Sequence, residues 1–326
     1  MRYSGIGGQA VMEGVMMKNQ DKYAVAVRKP DQEIIVEVAE YSGLIQNKKI
    51  RNMPILRGVF GFIESLVLGM KSLTFSASFF EDEEEDKKSE KNSEHTEGDS
   101  ANVKALSEKD AKKQQRREDA MMGGTVVLSI VLAVGIFMIL PYYISLFFQR
   151  FISSQIAISL LEGGLRLAIF VGYVAIISLM PDIRRVYMYH GAEHKCINCI
   201  EQGLDLTVEN VRKSSKQHKR CGTSFLLIVM LVSILFFMFI RVDNGLLKLV
   251  LRLLLIPVIA GVSYEFIRVA GRSDNVFVNI LSKPGMWLQN LTTREPDDAM
   301  IEVGIASVEA VFDWRSYVAE IRKNEE

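Results

Sequence analysis

The stretch 125–148 carries no charged side chain over 24 residues, and this limits the fold more than any other feature. A helix of about 20 apolar residues covers the hydrocarbon core of a bilayer. Three more stretches have this character. One is 165–180, extended backwards through 152–161 and ended by Pro181; another is 222–240. The last is 246–270, which is long enough but carries Arg252, Glu265 and Arg268. The reading is four spans in a mainly α, polytopic helical membrane protein. For each span, a buried core helix is the alternative. The overall 49% hydrophobic content decides little, because a water-soluble chain could reach it. The segregation of apolar blocks from charged connections carries the inference.

Orientation follows from lysine and arginine near the span ends. Lys109, Lys112, Lys113, Arg116 and Arg117 precede the first span. Arg184, Arg185, Lys195, Arg212, Lys213, Lys216, Lys219 and Arg220 lie between the second and third. The connections 149–164 and 241–245 are poor in both. Both termini and the loop 181–221 are therefore expected in the cytoplasm, with the chain multi-pass in the plasma membrane. Formal net charge is zero, so no nucleic-acid partner is expected; the lipid bilayer is. The N-terminus lacks the apolar core of a secretory signal and reads as the start of a folded domain.

Outside the spans, residues 9–40 read as strands. Tyr23–Val27 and Glu33–Val38 flank Lys29-Pro30-Asp31-Gln32, a turn whose proline pre-sets φ, so a β-hairpin is expected. Gly7-Gly8 lacks a P-loop lysine and is assigned to a turn or close backbone approach. Within 54–80, Arg57, Glu64 and Lys71 fall seven apart, a narrow polar stripe on an apolar helix. That suits an interfacial helix or one packed on the spans, with a fifth span as the alternative. Residues 81–119 are low-complexity and densely charged, and are expected to be disordered. Thr207 caps a short helix, and 299–321 reads as an amphipathic helix. The expected organisation is 1–80, cytoplasmic hairpin and helix; 81–119, linker; 120–270, membrane domain; 271–326, cytoplasmic tail.

The chemistry concentrates in 181–221. His190-Gly191-Ala192-Glu193-His194 spells H-x-x-E-H. On a helix, positions i and i+4 share one face, so both imidazoles could hold one metal ion. In the catalytic reading His218 or Cys221 is a third ligand, and Glu193 acts as base on bound water. In a structural reading Cys196, Cys199, His218 and Cys221 form a closed Cys3His knuckle. In the third reading no metal binds. The three cysteines cluster near the histidines, which points away from a disulfide framework and towards a reducing compartment. Imidazole and thiolate favour zinc as the cofactor. His95 lies in the charged segment and reads as solvated.

Several blocks together resemble the YqhQ-like family of bacterial membrane proteins, labelled a predicted metal-dependent enzyme. They are Gly7–Met17, Tyr189–Lys195, Leu206–Lys213, His218–Phe225 and Leu291–Asp298. The resemblance covers nearly the whole chain except 81–119. It implies that His190, Glu193, His194, His218 and Cys221 belong to the shared pattern, while Cys196 and Cys199 depart from it. Glu265 and Arg268 near the end of the fourth span, and Arg294 and Glu295 after it, are auxiliary candidates. An ion pair between Glu265 and Arg268 is the plainer reading of the first two, and helix capping that of the others. The expected function is a zinc-dependent hydrolase at the cytoplasmic membrane interface, acting on a peptide or lipid-linked substrate. The alternative is a non-catalytic assembly or regulatory factor of membrane proteins with a structural zinc. A transporter is disfavoured by the few charges within the spans.

Overall fold

The computed structural model describes residues 3–45, 53–92, 121, 123–240, 242, 244–273 and 275–324, without the side chains of 81–92. Four strands come first: β1 (Gly7–Val11), β2 (Gly14–Asn19), β3 (Lys22–Arg28) and β4 (Ile34–Glu40). They pair antiparallel in the order β1-β2-β3-β4. The expected hairpin is β3–β4, with Arg28 opposite Ile34, and β1–β2 adds a second. Side chains alternate between the faces of a strand, and here each face has its own core. Val15, Met17, Ala24 and Ala26 join one cluster. Val11, Met16, Tyr23, Val25 and Val27 join the other.

The second face packs on helix α1 (Leu56–Asn92) through Leu68, Phe75 and Phe79. Offset around the same helix, Ile63, Leu66, Val67, Met70 and Leu73 are exposed. Thus α1 has an apolar face on protein and another turned outward. It runs on past Phe80 through the acidic run to Asn92, within the segment expected to be disordered. Residues 93–119, His95 included, lie outside the described residues.

By contact the chain forms two compact units, 1–83 with 171–326, and 84–170. The smaller unit holds helix α2 (Gly123–Phe148) and most of α3 (Gln155–Ile177). In α2 the turn Gly135–Ile139 is a π-helix. There the Phe137 carbonyl accepts from Arg166 Nε at 2.9 Å. Arg166 also pairs with Glu162 at 2.9 Å, both buried, so α3's charges are satisfied within the apolar region.

In the larger unit, α4 (Pro181–Glu201) and the short α5 (Val208–Lys213) precede α6 (Gly222–Met238) and α7 (Gly245–Ala270). Then come α8 (Val276–Thr292), α9 (Asp298–Val311) and α10 (Trp314–Lys323). Thr207 caps α5 as expected, accepting from the Asn210 N–H. The single amphipathic helix expected over 299–321 is two helices. Asp313 caps the second by accepting from the Ser316 N–H, which breaks the run after Val311. The first sheet face packs on α4 and α9: Tyr189, Cys196, Ile197 and Ile200 meet Met300, Ile301, Val303 and Val308. Full burial of each such aliphatic side chain stabilises the fold by roughly 1.5–3 kcal/mol.

Four described helices are long and apolar enough to cross a membrane: Leu56–Phe80, α2, α3 and α7. The number matches expectation but the membership differs. The stretch read as a clean span at 222–240 is a 17-residue helix, α6, shorter than those four.

Candidate metal centre

The loop expected at 181–221 is largely a 21-residue helix, α4, entered through Pro181 at its first turn. Helical geometry places His190 and His194 one turn apart, with ring centroids 4.4 Å apart. The chain returns through α5, and Cys221 caps α6, its sulfur 3.3 Å from His190 Nε2. Among the described residues, His190, His194 and Cys221 are the group whose ligand atoms all lie within 4.8 Å of one another. Glu193 Oε2 lies 3.5 Å from His194 Nε2 and 3.9 Å from His190 Nε2.

The remaining ring nitrogens are held by backbone carbonyls. His190 Nδ1 donates to Thr292 O at 2.9 Å, and His194 Nδ1 donates to Lys216 O at 2.6 Å. With a proton fixed on Nδ1, Nε2 is the nitrogen that faces the group and would bind a metal in the neutral form of the ring. Two side chains of α4 position the Lys216 carbonyl. Lys195 Nζ donates to Arg212 O and Ser214 O, and Asn198 Nδ2 donates to Ser215 O and Gln217 O. Gln289 of α8, fully buried, clamps the segment leading to Cys221 by accepting from His218 N and donating to His218 O.

Two glycines admit the surrounding backbone. A Cβ at Gly191 would stand 2.0 Å from Arg294 O, so only glycine lets 292–296 cross α4 there. A Cβ at Gly8 would stand 2.8 Å from Glu193 Cγ. The close-approach role read for Gly7-Gly8 therefore falls on Gly8, with the catalytic candidate as its neighbour.

The electrostatics favour a deprotonated thiol. Burial alone would raise the Cys221 thiol, but His190 and His194 outweigh it and hold it well below the usual range. Burial alone would lower His190; the Cys221 sulfur and Glu193 lift it to about 9. The other cysteines behave oppositely. Burial pushes Cys196 well above the ordinary thiol value and Cys199 up to about 11. Both are free and packed in the core, Cys196 against Gly304.

His218 is brought near but turned elsewhere. Its ring centroid lies 5.6 Å from that of His194. Its Nε2 lies 3.7 Å from Glu201 Oε2 and 3.2 Å from Arg220 Nη2. Glu201 also accepts from Arg220 and from Ser4 N and Oγ. Burial would raise Glu201, but the His218 hydrogen bond, Arg220 and Ser4 bring it down to about 2. The Cys3His knuckle is not assembled among the described residues. The auxiliary candidates divide. Glu295 pairs with Lys195 at 3.0 Å beside α4, and Arg294 N donates to Tyr187 O. Glu265 pairs with Arg57 of α1 instead of Arg268, and neither Glu265 nor Arg268 belongs to the metal group.

Apolar helices of bilayer length, with a His-His-Cys group held by α4 and the cap of α6, define a membrane-associated protein with a candidate metal centre. A family described as protein of unknown function, DUF1385, matches residues 53–314, and the chain belongs to it. It is 34% identical to the uncharacterized protein YqhQ of Bacillus subtilis (strain 168) over 303 residues, covering 92% of this chain and 90% of that one. No solved structure matches it.

Proposed function

We propose that the protein is a zinc-dependent hydrolase of the cytoplasmic membrane surface. One observation carries this reading: three ligand atoms converge beside the Glu193 carboxylate, and His218, which faces Glu201, is not among them. The donor set fits the ion. Two imidazoles and a thiolate suit zinc better than magnesium or calcium, and both imidazoles are oriented by carbonyls. His190 and His194, through Nε2, and Cys221, through Sγ, would hold it. Bound zinc would supply a Lewis acid and a water that ionises near neutral pH. Glu193 takes the proton of the attacking water and returns it to the leaving group. Its burial, at 4% exposure, keeps bulk water from competing for that proton. The substrate class is an amide or ester bond in a peptide or lipid-linked molecule at the bilayer surface.

The topology supports that location. The sheet, α4 and α9 pack together, so they lie on one side of the bilayer. Between β4 and α4 the chain then crosses an even number of times, yet three helices among the described residues there are long enough. Helix α1 has one face on the sheet and lies along the surface; α2 and α3 make the two crossings. By the same parity α6 crosses with α7, and 17 residues are just sufficient. The lysines and arginines near the ends of these helices support a cytoplasmic sheet side.

Cobalt substitution tests whether a fourth position is left for water. Thiocyanate should shift the visible bands of the cobalt protein, and Glu193→Gln should keep full metal content but hydrolyse no member of a peptide and phospholipid-ester panel. Bands indifferent to thiocyanate, together with a Glu193→Gln protein that still sustains function in cells, would leave the non-catalytic alternative, a metal that staples α4 to α6.

A further inference from the structure

Away from the metal centre, the C-terminal end of α7 meets the start of α1 around a cleft lined by Arg57, Glu265, Arg268, Val269, Arg272 and Ser273. Three guanidiniums face one carboxylate, and Arg57 uses that carboxylate. Arg268 makes no hydrogen bond among the described residues, and it lies near enough to Glu265 and Tyr264 to act on both electrostatically. Arg272 stacks over the Tyr3 ring at 4.9 Å, and Arg220 stacks over the same ring at 4.3 Å. The Arg220 stem lies so close to Gly271 that a Cβ there would stand 2.5 Å from its Cγ. Its Nη1 is buried without a hydrogen-bond partner among the described residues. Glu265 pairs with Arg57 and Glu201 with Arg220, which leaves Arg268 and Arg272 as the cleft's charges without a salt-bridged carboxylate among the described residues; like charges repel one another unless an anion joins them. Tyr3 and Gly271 hold the Arg272 and Arg220 side chains, so less side-chain entropy is lost when a ligand binds.

We infer that this arginine cleft binds a phosphate group. Guanidinium forks match phosphate oxygens with paired hydrogen bonds. The cleft lies at the end of α7, a bilayer-length helix, and its Arg57 belongs to α1, whose Ile63, Leu66, Val67 and Met70 are exposed. That position selects the phosphodiester headgroup of an anionic lipid as the source. The choice of source rests on the topology proposed above; the anion site itself rests on neither that topology nor the metal centre.

Native mass spectrometry of the full chain in detergent, offered phosphatidylglycerol or phosphatidylcholine, tests this, with calorimetric titration of inorganic phosphate as a second arm. Phosphatidylglycerol should be retained over phosphatidylcholine. Arg268→Gln with Arg272→Gln should weaken retention about tenfold, while Arg315→Gln on α10 should not. Arg268→Lys with Arg272→Lys should restore part of it, with unchanged melting and metal content excluding misfolding. Binding of inorganic phosphate alone, lost in the glutamine pair, would support the same site with a soluble ligand. A glutamine pair that retains phosphatidylglycerol like the parent, or a parent that binds neither probe, would overturn the inference.

Discussion

The body built from the sheet, α4 and α9 and the helices α6 and α7 solve burial in opposite ways. In the first, Val15, Met17, Ile197, Ile200 and Val308 are wholly inside, and the metal group rests on that packing. In the second, Leu254 is 68% exposed and Phe239 80%. The first therefore carries its own core, whereas the second leaves its apolar surface for lipid. Coordination chemistry needs ligands fixed to a fraction of an ångström; His190 and His194 stand on the self-sufficient body, and Cys221 joins them from the cap of α6.

The largest effect should come from Gly191→Ala. The obstructing atom is backbone, Arg294 O, so the crossing of 292–296 over α4 cannot adjust by a rotamer change. A loss of about 3 kcal/mol or more, with the metal lost alongside, is expected and would be read from thermal melts and elemental analysis. Normal stability would mean that the crossing is loose. Next, Ile200→Ala should cost about 2–5 kcal/mol in detergent.

Acid tests the same body through Glu201. Its carboxyl is depressed from about 4.5 to about 2 in the folded protein. The contribution is therefore present above the unfolded value and lost as pH falls from about 4.5 towards 2. It amounts to ~3 kcal/mol by linkage. Denaturant melts at stepped pH should flatten in that window in Glu201→Gln, and an unchanged slope would contradict the burial of this pair. The smallest effect belongs to the other region: Leu254→Ala on the outer face of α7 should stay within about 0.5 kcal/mol. A loss as large as that of Ile200→Ala would erase the contrast.

Local signals in the chain were informative. The i, i+4 spacing of His190 and His194, the proline turn of β3–β4 and the Thr207 cap each depend on neighbours a few residues away, and each is found in place. What stayed hidden depends on distant chain. The carbonyls that orient the imidazoles belong to Lys216 and Thr292, and any residue type supplies a carbonyl, so no side-chain pattern marks them. Glu265 lies three residues from Arg268, yet it pairs with Arg57, 208 positions away. His218 has suitable spacing for a ligand, but Glu201, Arg220 and Ser4 draw it into a separate buried network. Gln289 and Asn198 gave no motif, although both clamp the segment that carries Lys216 and Cys221.

The metal centre itself is tested most directly by X-ray absorption at the zinc edge of the purified full chain, beside its His190→Ala, His194→Ala variant. One zinc per chain is expected, with two nitrogen ligands, one sulfur and one oxygen exchangeable with solvent, and no zinc in the variant. Zinc bound by two or three sulfurs, retained in full after both histidines are removed, would contradict the site and move the ligands to Cys196, Cys199 and Cys221.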